Sequence, residues 1–226
     1  MDNLLNYPQS TLVSRVVPKT MFYRFMEVSP RMKVRFVNDV VNITWLYKLS
    51  AATLNVTDTE DMREIEVFVV HLKQPDCPTD LFTFIDTHMP HHIVFVLIHD
   101  KSAMLLINYK DWTDDAHTKF KITQTFASPW VPLEDLELTV QGQSLPRVYD
   151  NFVAQVSGIG EHKAGSMEEI VILRQQISKH EAELQKLEKR MRKEPQLDRQ
   201  MQLHRQVRQK RQLLVELKQK MEELSV

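Results

Sequence analysis

Glycine is scarce in this sequence, and its scarcity excludes several classes of enzyme. Only four of the 226 residues are glycine, and three of them, Gly158, Gly160 and Gly165, lie close together. The remaining one, Gly142, belongs to neither a GxGxxG nor a GxxxxGK[ST] motif, so no glycine-rich loop presents backbone amides to phosphates. No GxSxG motif occurs either. The sequence therefore supports neither a kinase nor a serine hydrolase.

Cysteine and long apolar runs are also scarce. Cys77 is the only cysteine, so no intrachain disulfide can form, and a reducing cytoplasm is the simplest location. No stretch approaches the roughly 18 apolar residues that a membrane-spanning helix needs. The first residues lack the pattern of a signal peptide. We therefore expect a cytoplasmic protein without a membrane-spanning segment.

The net charge of −1 hides an asymmetry between the two parts of the chain. Residues 1–160 hold 14 lysines and arginines against 19 acidic residues, whereas residues 161–226 hold 15 against 11. The two parts therefore carry about −5 and +4, and only the second is a candidate for attracting an anionic partner.

Residues 1–157 alternate between helix and strand patterns. A first segment rich in proline predicts an extended N-terminal arm. Ser29 suits the N-cap of a helix and Pro30 its first position. Apolar periodicity and β-branched residues predict further elements, namely a helix at 30–41, antiparallel strands at 43–51 and 63–73, a helix at 78–88, a strand pair at 91–100 and 102–112, a third strand at 119–130 and a helix at 144–156. The expected fold class is α+β, with a mixed or antiparallel sheet of about five strands and packed helices.

The pattern changes completely after a glycine-containing linker at 158–165. Ser166 and Glu169 match a capping box, and apolar residues then follow heptad spacing with one polar position at His180. A second heptad series follows Pro195. We predict an antiparallel helical hairpin over 166–226 with its turn near 194–197. The alternative is one kinked helix in an intermolecular coiled coil, which would make a homodimer.

One strand, "EIEVFVVHLK", invites comparison with metal-dependent nucleases. Restriction-type folds place an acidic residue on one strand and Glu-x-Lys on the next, so that two carboxylates bind a divalent metal beside a lysine. Here His71 occupies the acidic position before Lys73, and Glu64 and Glu66 lie about 23 to 30 Å from that lysine along the strand. The strand is therefore predicted to be structural. A divergent nuclease remains an alternative, with acids from separate elements, namely Asp39, Asp61 or Glu66.

Four histidines lie in or near "HMPHH": His88, His91, His92 and His99. A zinc site needs three or four ligands around one ion. Adjacent strand residues point to opposite faces, and no cysteine pair or HExxH motif completes a ligand set. A polar turn is the favoured interpretation, and no catalytic, cofactor-binding or metal-binding residue is assigned.

The C-terminal part carries a dense group of cations. Ten fall between residues 186 and 211, against three acidic residues. They are Lys186, Lys189, Arg190, Arg192, Lys193, Arg199, Arg205, Arg208, Lys210 and Arg211. In a hairpin they cluster at the distal end, where they could contact a nucleic-acid backbone. The alternative is the ordinary solvated surface of a coiled coil. No base-reading motif is visible.

Several segments together resemble a known family. They are "LNYPQSTLVSRVVPK", "ITWLYKLSAATLNV", "EIEVFVVHLK", "FIDTHMPHHIVFVL", "ASPW" and "VYDNFVAQVSGI", followed by a charged coiled coil. In this order they resemble the bacterial domain-of-unknown-function family 4391 over essentially the whole chain. The resemblance implies genes beside a large helicase and a DNA methyltransferase, in operons like type III restriction or phage-defence islands. It supplies no catalytic residues.

The function predicted from the sequence is that of a non-enzymatic accessory subunit. The α+β domain would dock on a helicase or DNA methyltransferase of the same operon, and the hairpin would bind the helicase or contact the nucleic-acid backbone. The alternatives are the divergent metal-dependent nuclease and a self-associating toxin–antitoxin or regulatory component.

Overall fold

A computed structural model describes residues 4–76, 78–112, 120–159 and 167–224. The chain divides into two compact units, Met1–Ile159 and Gly160–Val226. Among the described residues, no helix is both long and apolar enough to cross a membrane.

Within the residues that the structure describes, the first unit contains a sheet and five helices. Its elements are β1 Leu12–Val16, α1 Lys19–Phe25, α2 Pro30–Asp39, β2 Val40–Ser50, α3 Ala51–Leu54, β3 Glu64–Leu72, α4 Asp80–Thr87, β4 His92–His99, β5 Ser102–Trp112, β6 Phe120–Ala127, β7 Val131–Pro132 and α5 Leu145–Ser157. Short 3-10 turns cover Gln9–Thr11 and Leu133–Asp135.

The described part of the sheet has seven strands in a simple order. Strands β1 to β6 lie side by side in chain order, and β7 pairs with β5. β3 and β4 are parallel, while the other neighbours are antiparallel. The chain passes from β3 to β4 through α4, as a parallel pair requires a crossover connection. The predicted mixed sheet is confirmed, with more strands than expected.

Helices cover both faces of this sheet. One face of β3 carries Phe68, Val70 and Leu72, which belong to a buried cluster with residues of α2 and α4. On the opposite face, the Tyr149 ring of α5 lies 4.5 Å from the buried His92 ring of β4. Side chains alternate between these faces along β3 and β4, so parity assigns the residues of these two strands to the α2/α4 side or the α5 side. Irregularities interrupt the register where β1 pairs with β2, β2 with β3 and β5 with β6.

Most predicted elements of this unit are present. Ser29 caps α2 by accepting a hydrogen bond from the Met32 amide, and Ser144 caps α5 in the same way through the Arg147 amide. α4 begins after Thr79, a little later than predicted. The extended N-terminal arm requires correction, because its residues form the edge strand β1 and the helix α1.

The second unit is a helical hairpin within one chain. Helix α6 covers Met167–Lys193 and helix α7 covers Leu197–Leu224. Glu169 pairs with Lys220, and farther along α6 Glu183 pairs with Lys210. Because the partner on α7 comes earlier in the chain as α6 proceeds, the helices run antiparallel. The predicted C-terminal helical hairpin is confirmed as a packed pair of helices, in which Val207 and Leu214 are buried. The linker residues 160–165 and the predicted cap at Ser166 lie outside the described residues.

A candidate metal centre where β3 and β4 begin

The start of β3 carries two glutamates on one face of the sheet. Glu64 and Glu66 are two residues apart, so their side chains point to the same side. Across the antiparallel pair, Lys48 of β2 lies directly opposite Glu66. In the parallel pair, Ile65 is opposite His92. That register places His91, the residue before β4, next to Glu64.

The three side chains converge closely enough to share one ion. One ligand atom from each of Glu64, Glu66 and His91 lies within 4.8 Å of the other two. His91 Nε2 is 3.7 Å from Glu64 Oε2. On the other side of Glu64, Lys48 Nζ is 2.6 Å from Oε1. The cluster therefore contains two carboxylates, one imidazole and an adjacent ammonium group.

Glu66 is the unusual member, because it is a buried acid. Its residue surface is only 4% exposed, and its Oε2 atom has no hydrogen-bond partner among the described residues. A buried carboxylate oxygen without a partner is costly. An ion shared with Glu64 and His91 would satisfy that oxygen.

The electrostatics of the cluster suit a cation. Burial, and then the neighbouring Glu64 carboxylate, raises the pKa of Glu66 to about 7. Burial also lowers the pKa of His91. The Glu64 carboxylate opposes this shift, and the charges of Lys48 and Lys110 add to it. His91 is therefore neutral near pH 7, which is the form that binds metals.

A buried lysine fixes the backbone that carries His91. The Lys110 ammonium donates hydrogen bonds to the carbonyl oxygens of Met89, at 3.0 Å, and His91, at 2.6 Å. Its third partner is Asp86 Oδ1, at 2.6 Å. The ammonium group therefore has two carbonyl acceptors and one ion-pair partner. The turn between α4 and β4 is thus tied to a charge in the interior.

The same network continues through Asp86. Asn108 donates to Asp86 Oδ2 at 2.8 Å and accepts from the Thr125 hydroxyl at 2.7 Å. The side chains of Asp86 and Lys110 are 0% and 3% exposed. Burial raises the pKa of Asp86 and lowers that of Lys110, while the contact between the two opposes both shifts. A buried ion pair does not by itself stabilise a fold strongly. Its role here is to hold the backbone that carries His91.

The ligand set fits a divalent metal ion that binds both oxygen and nitrogen ligand atoms. Carboxylates suit magnesium and manganese, and one imidazole also suits manganese and zinc. Three protein ligands leave positions open for water and for a substrate oxygen, as in catalytic rather than structural sites. Such an ion can polarise a phosphoryl oxygen and lower the pKa of a bound water.

Other acids and cations named from the sequence lie elsewhere. Asp39 forms an ion pair with Arg35 at 2.5 Å, and Asp61 is exposed in the loop before β3. His71 Nδ1 is 2.8 Å from Asn42 Oδ1. Lys73 donates to the Val37 carbonyl oxygen at 2.8 Å. Of the proposed nuclease acids, Glu66 alone belongs to the cluster.

The histidines divide in a way that sequence reasoning missed. His88 binds the Phe84 carbonyl oxygen, His92 is buried and His99 lies near Asp100. Only His91 joins the glutamates. The signal in the sequence was the alternation Glu-Ile-Glu. This alternation indicates a site only once β3 and β4 are known to be parallel neighbours. The pattern of residues within a strand does not reveal which strand lies beside it.

The ten cations named from the sequence lie on the hairpin, in the second unit. Nine of them are exposed. Lys210 is half-buried on the seam, where its Nζ is 2.6 Å from Glu183 Oε2 and 2.9 Å from His180 Nδ1. Arg211 pairs with Glu188 at 2.6 Å. The remaining eight are available on the surface as contacts for an anionic polymer.

Fold and site together define a protein with a mixed-sheet α+β unit, a cluster of metal-ligating side chains and a separate basic hairpin. The chain belongs to the family described as Domain of unknown function (DUF4391), whose family model matches residues 5–214. No curated protein matches the chain, and no solved structure matches it.

Proposed function

We propose that this chain is a divalent-metal-dependent hydrolase of phosphodiester bonds in nucleic acid. The observation that carries the proposal is the convergence of Glu64, Glu66 and His91 within 4.8 Å, with Lys48 against Glu64. Metal-dependent phosphodiester hydrolysis needs these groups: ligands for an ion that activates water, and a cation beside the phosphate.

Each group has a defined role in the proposed reaction. The glutamates and His91 would hold the ion, which would supply an activated water beside the phosphate. Attack of that water on phosphorus would break the bond to the leaving oxygen, with the water releasing a proton to solvent and the leaving oxygen taking one from it. The Lys48 ammonium stabilises the negative charge that develops on the phosphoryl oxygens. No other reactant is required.

The arrangement has the same parts as the restriction-type pattern, in a different order. In that pattern an acid lies on one strand and Glu-x-Lys on the next. Here the lysine is on β2 and both acids are on β3, and a histidine is added from the start of β4. This is an analogy of fold and residue type, and it supports the reaction class without identifying a substrate.

The hairpin supports nucleic acid as the substrate class. Its exposed cations can neutralise backbone phosphates without reading bases. Binding through them would bring a phosphodiester polymer to a protein whose other unit carries the metal-ligating cluster.

A cleavage assay tests the proposal. Purified protein is incubated with plasmid and single-stranded DNA and RNA in Mg²⁺ or Mn²⁺, beside the Glu66→Gln variant and the control Glu60→Gln, which changes an exposed loop residue. We expect metal-dependent cleavage by the wild type and the control, and a loss of about 100-fold or more for Glu66→Gln. Equal cleavage by all three proteins, or none by the wild type, contradicts the proposal.

The second candidate is the non-enzymatic accessory subunit. It is favoured by the exposed basic surface of the hairpin, which could dock on a helicase or DNA methyltransferase of the same operon, or contact a nucleic-acid backbone in a cytoplasmic phage-defence complex. Size-exclusion chromatography of the protein co-expressed with those subunits tests it. Failure to co-elute, with and without DNA, contradicts this role.

A further inference from the structure

An apolar cavity opens on the same side of the sheet as the metal-ligating cluster. Its volume is about 350 Å³. Four aromatic rings, three methionines and two other apolar residues line it together with one arginine. They are Phe22, Phe25, Trp45, Phe68, Met21, Met26, Met89, Val17, Pro18 and Arg15. The cavity lies among β1, β2, β3 and α1, close to the edge of the sheet.

Three lining residues connect the cavity to the cluster. Phe68 follows Glu66 by two residues on the same face of β3, about 7 Å along the strand. Trp45 of β2 is paired with Phe68 across the two strands. Met89 precedes His91 by two residues, in the turn that Lys110 anchors. The cavity and the cluster are therefore neighbours on one surface.

The mouth of the cavity exposes an aromatic ring. Phe25 is 70% exposed and Met21 is 38% exposed, although both are large apolar side chains. The Arg24 guanidinium lies 5.6 Å from the centre of the Phe25 ring. An aromatic ring beside an arginine is the surface on which unpaired bases stack in single-strand-binding proteins.

Charge around the cavity favours a phosphate polymer over an apolar peptide. Residues 15–35, which include α1 and parts of β1 and α2, hold six lysines and arginines against a single acid, Glu27. One of the six, Arg35, is paired with Asp39 and Asp80. The rest of this unit is acidic. Arg15 lines the cavity itself. An anionic strand would therefore find at least one cation, Arg15, at the cavity.

We propose that this cavity receives one unpaired base of the strand whose phosphodiester is held at Glu64, Glu66 and His91. This rests on the proposed function and adds the form of its substrate. A base paired in a duplex cannot enter, so the substrate is single-stranded or has a displaced nucleotide. The lining presents almost no polar atoms to read base edges, so recognition is by stacking and tolerates all bases.

Fluorescence of 2-aminopurine tests the proposal without requiring catalysis. A single-stranded oligonucleotide with one 2-aminopurine is titrated with the full chain in EDTA, and stacking quenches its emission. We expect quenching by the wild type, and an affinity about 5- to 150-fold lower for Phe25→Ala. Phe25→Trp should restore binding. The control is Val215→Ala, since Val215 is also exposed, at 51%, but lies on the hairpin away from its turn.

Two further results bear on the occupant of the cavity. The dye ANS, which binds apolar cavities, should be displaced by the single strand but not by a blunt duplex of the same length. Displacement by neither, or equal affinity of Phe25→Ala and wild type, overturns the proposal and indicates that the cavity accepts an apolar side chain of a protein partner. Cleavage without quenching refutes this inference alone. Quenching without metal-dependent cleavage refutes the proposed hydrolase alone.

Discussion

Lys110 places a charge in the interior of the first unit, where it contacts α4 and the turn before β4. It joins Asp86 of α4 and the carbonyl oxygens of Met89 and His91 in the turn before β4. Outer groups that orient metal ligands influence affinity nearly as strongly as the ligands do. Lys110 is thus a positioning residue that acts through the backbone of His91.

The Lys110→Met variant should be unstable, and a second substitution should repair it. Lys110→Met leaves the Asp86 carboxylate buried without its cation, which should lower the free energy of unfolding by about 3–5 kcal/mol. Adding Asp86→Leu removes that carboxylate and should recover most of the loss. Chemical denaturation of the three proteins measures both effects. Equal stability of the single and double variants would contradict this account of the pair.

Measurements of metal affinity distinguish the positioning role of the Asp86–Lys110 pair from its effect on the stability of the fold. The double variant Asp86→Leu/Lys110→Met lacks the anchor for the His91 backbone, so its Mn²⁺ affinity should stay about 10- to 100-fold below that of the wild type. In a His91→Ala background the same pair of substitutions should have no further effect. Calorimetric titration measures each affinity, with Thr125→Val as a control at the far end of the network. Additive losses would mean that the pair does not act through His91.

Lys48 should affect the reaction more than it affects the metal. Its ammonium pairs with Glu64 Oε1, so Lys48→Met frees that carboxylate and should leave Mn²⁺ affinity equal or higher. The same change removes the cation beside the phosphate and should lower the cleavage rate by about 100-fold. Single-turnover kinetics with saturating Mn²⁺ checks the rate. A loss of metal affinity equal to the loss of rate would assign Lys48 to metal binding.

At the scale of single residues, the sequence drew attention to Glu66 as a possible nuclease acid and to His91 as a possible zinc ligand. It did not show that the two lie in one cluster. Glu66 was considered with Lys73, which follows it along the same segment, and His91 with His92, which follows it directly. The decisive relation is between strands: Ile65 lies opposite His92 in a parallel pair. Side-chain alternation predicts faces within a strand, but the neighbour and its register come from the fold.

At the scale of elements, local signals succeeded where they were strong. The caps at Ser29 and Ser144 and the strand pattern of β3 to β5 gave the right elements. β1 and α1 were missed because two prolines suggested an extended arm, although Pro18 is the N-cap of α1. Phe22 and Met26 are then buried against α2 and the sheet. This helix depends on tertiary contacts rather than on local propensity.

The turn end of the hairpin should govern salt-dependent binding to nucleic acid. Replacing Lys189, Arg190, Arg192 and Lys193 by glutamine removes exposed cations. The slope of log affinity against log salt should then fall by about 0.9 for each duplex phosphate that is no longer neutralised, or about 0.7 for a single strand. Fluorescence anisotropy at several salt concentrations measures the slope.

A matched control exists at the other end of the hairpin. Lys218 and Lys220 are paired with Glu181 and Glu169, so their replacement by glutamine should leave the salt slope unchanged. An unchanged slope for the four-residue variant would indicate that the cations of the turn are an ordinary solvated surface.

At the scale of the whole molecule, the charge division was visible from the sequence. The acidic first part and basic second part correspond to the two units, Met1–Ile159 and Gly160–Val226. What the sequence left open was whether the heptads pair within one chain. They do, because Glu183 and Lys210 meet across the two helices.

We expect a monomer in solution. The seam residues that a coiled coil between two chains would use are occupied within the hairpin, where Val207 and Leu214 are buried. Multi-angle light scattering should give a mass near 26.6 kDa that does not change with concentration. A mass twice as large would favour the homodimer that heptad spacing also allows.

The binding of a divalent ion by Glu64, Glu66 and His91 is the central claim. Crystals grown with Mn²⁺ and measured for anomalous scattering test it most directly, because the anomalous difference map identifies manganese and shows its position. We predict one peak about 2.0 to 2.3 Å from an oxygen of each glutamate and a nitrogen of His91, absent in Glu66→Gln. A map without a peak at these side chains, in crystals that hold manganese in the solvent, would contradict it.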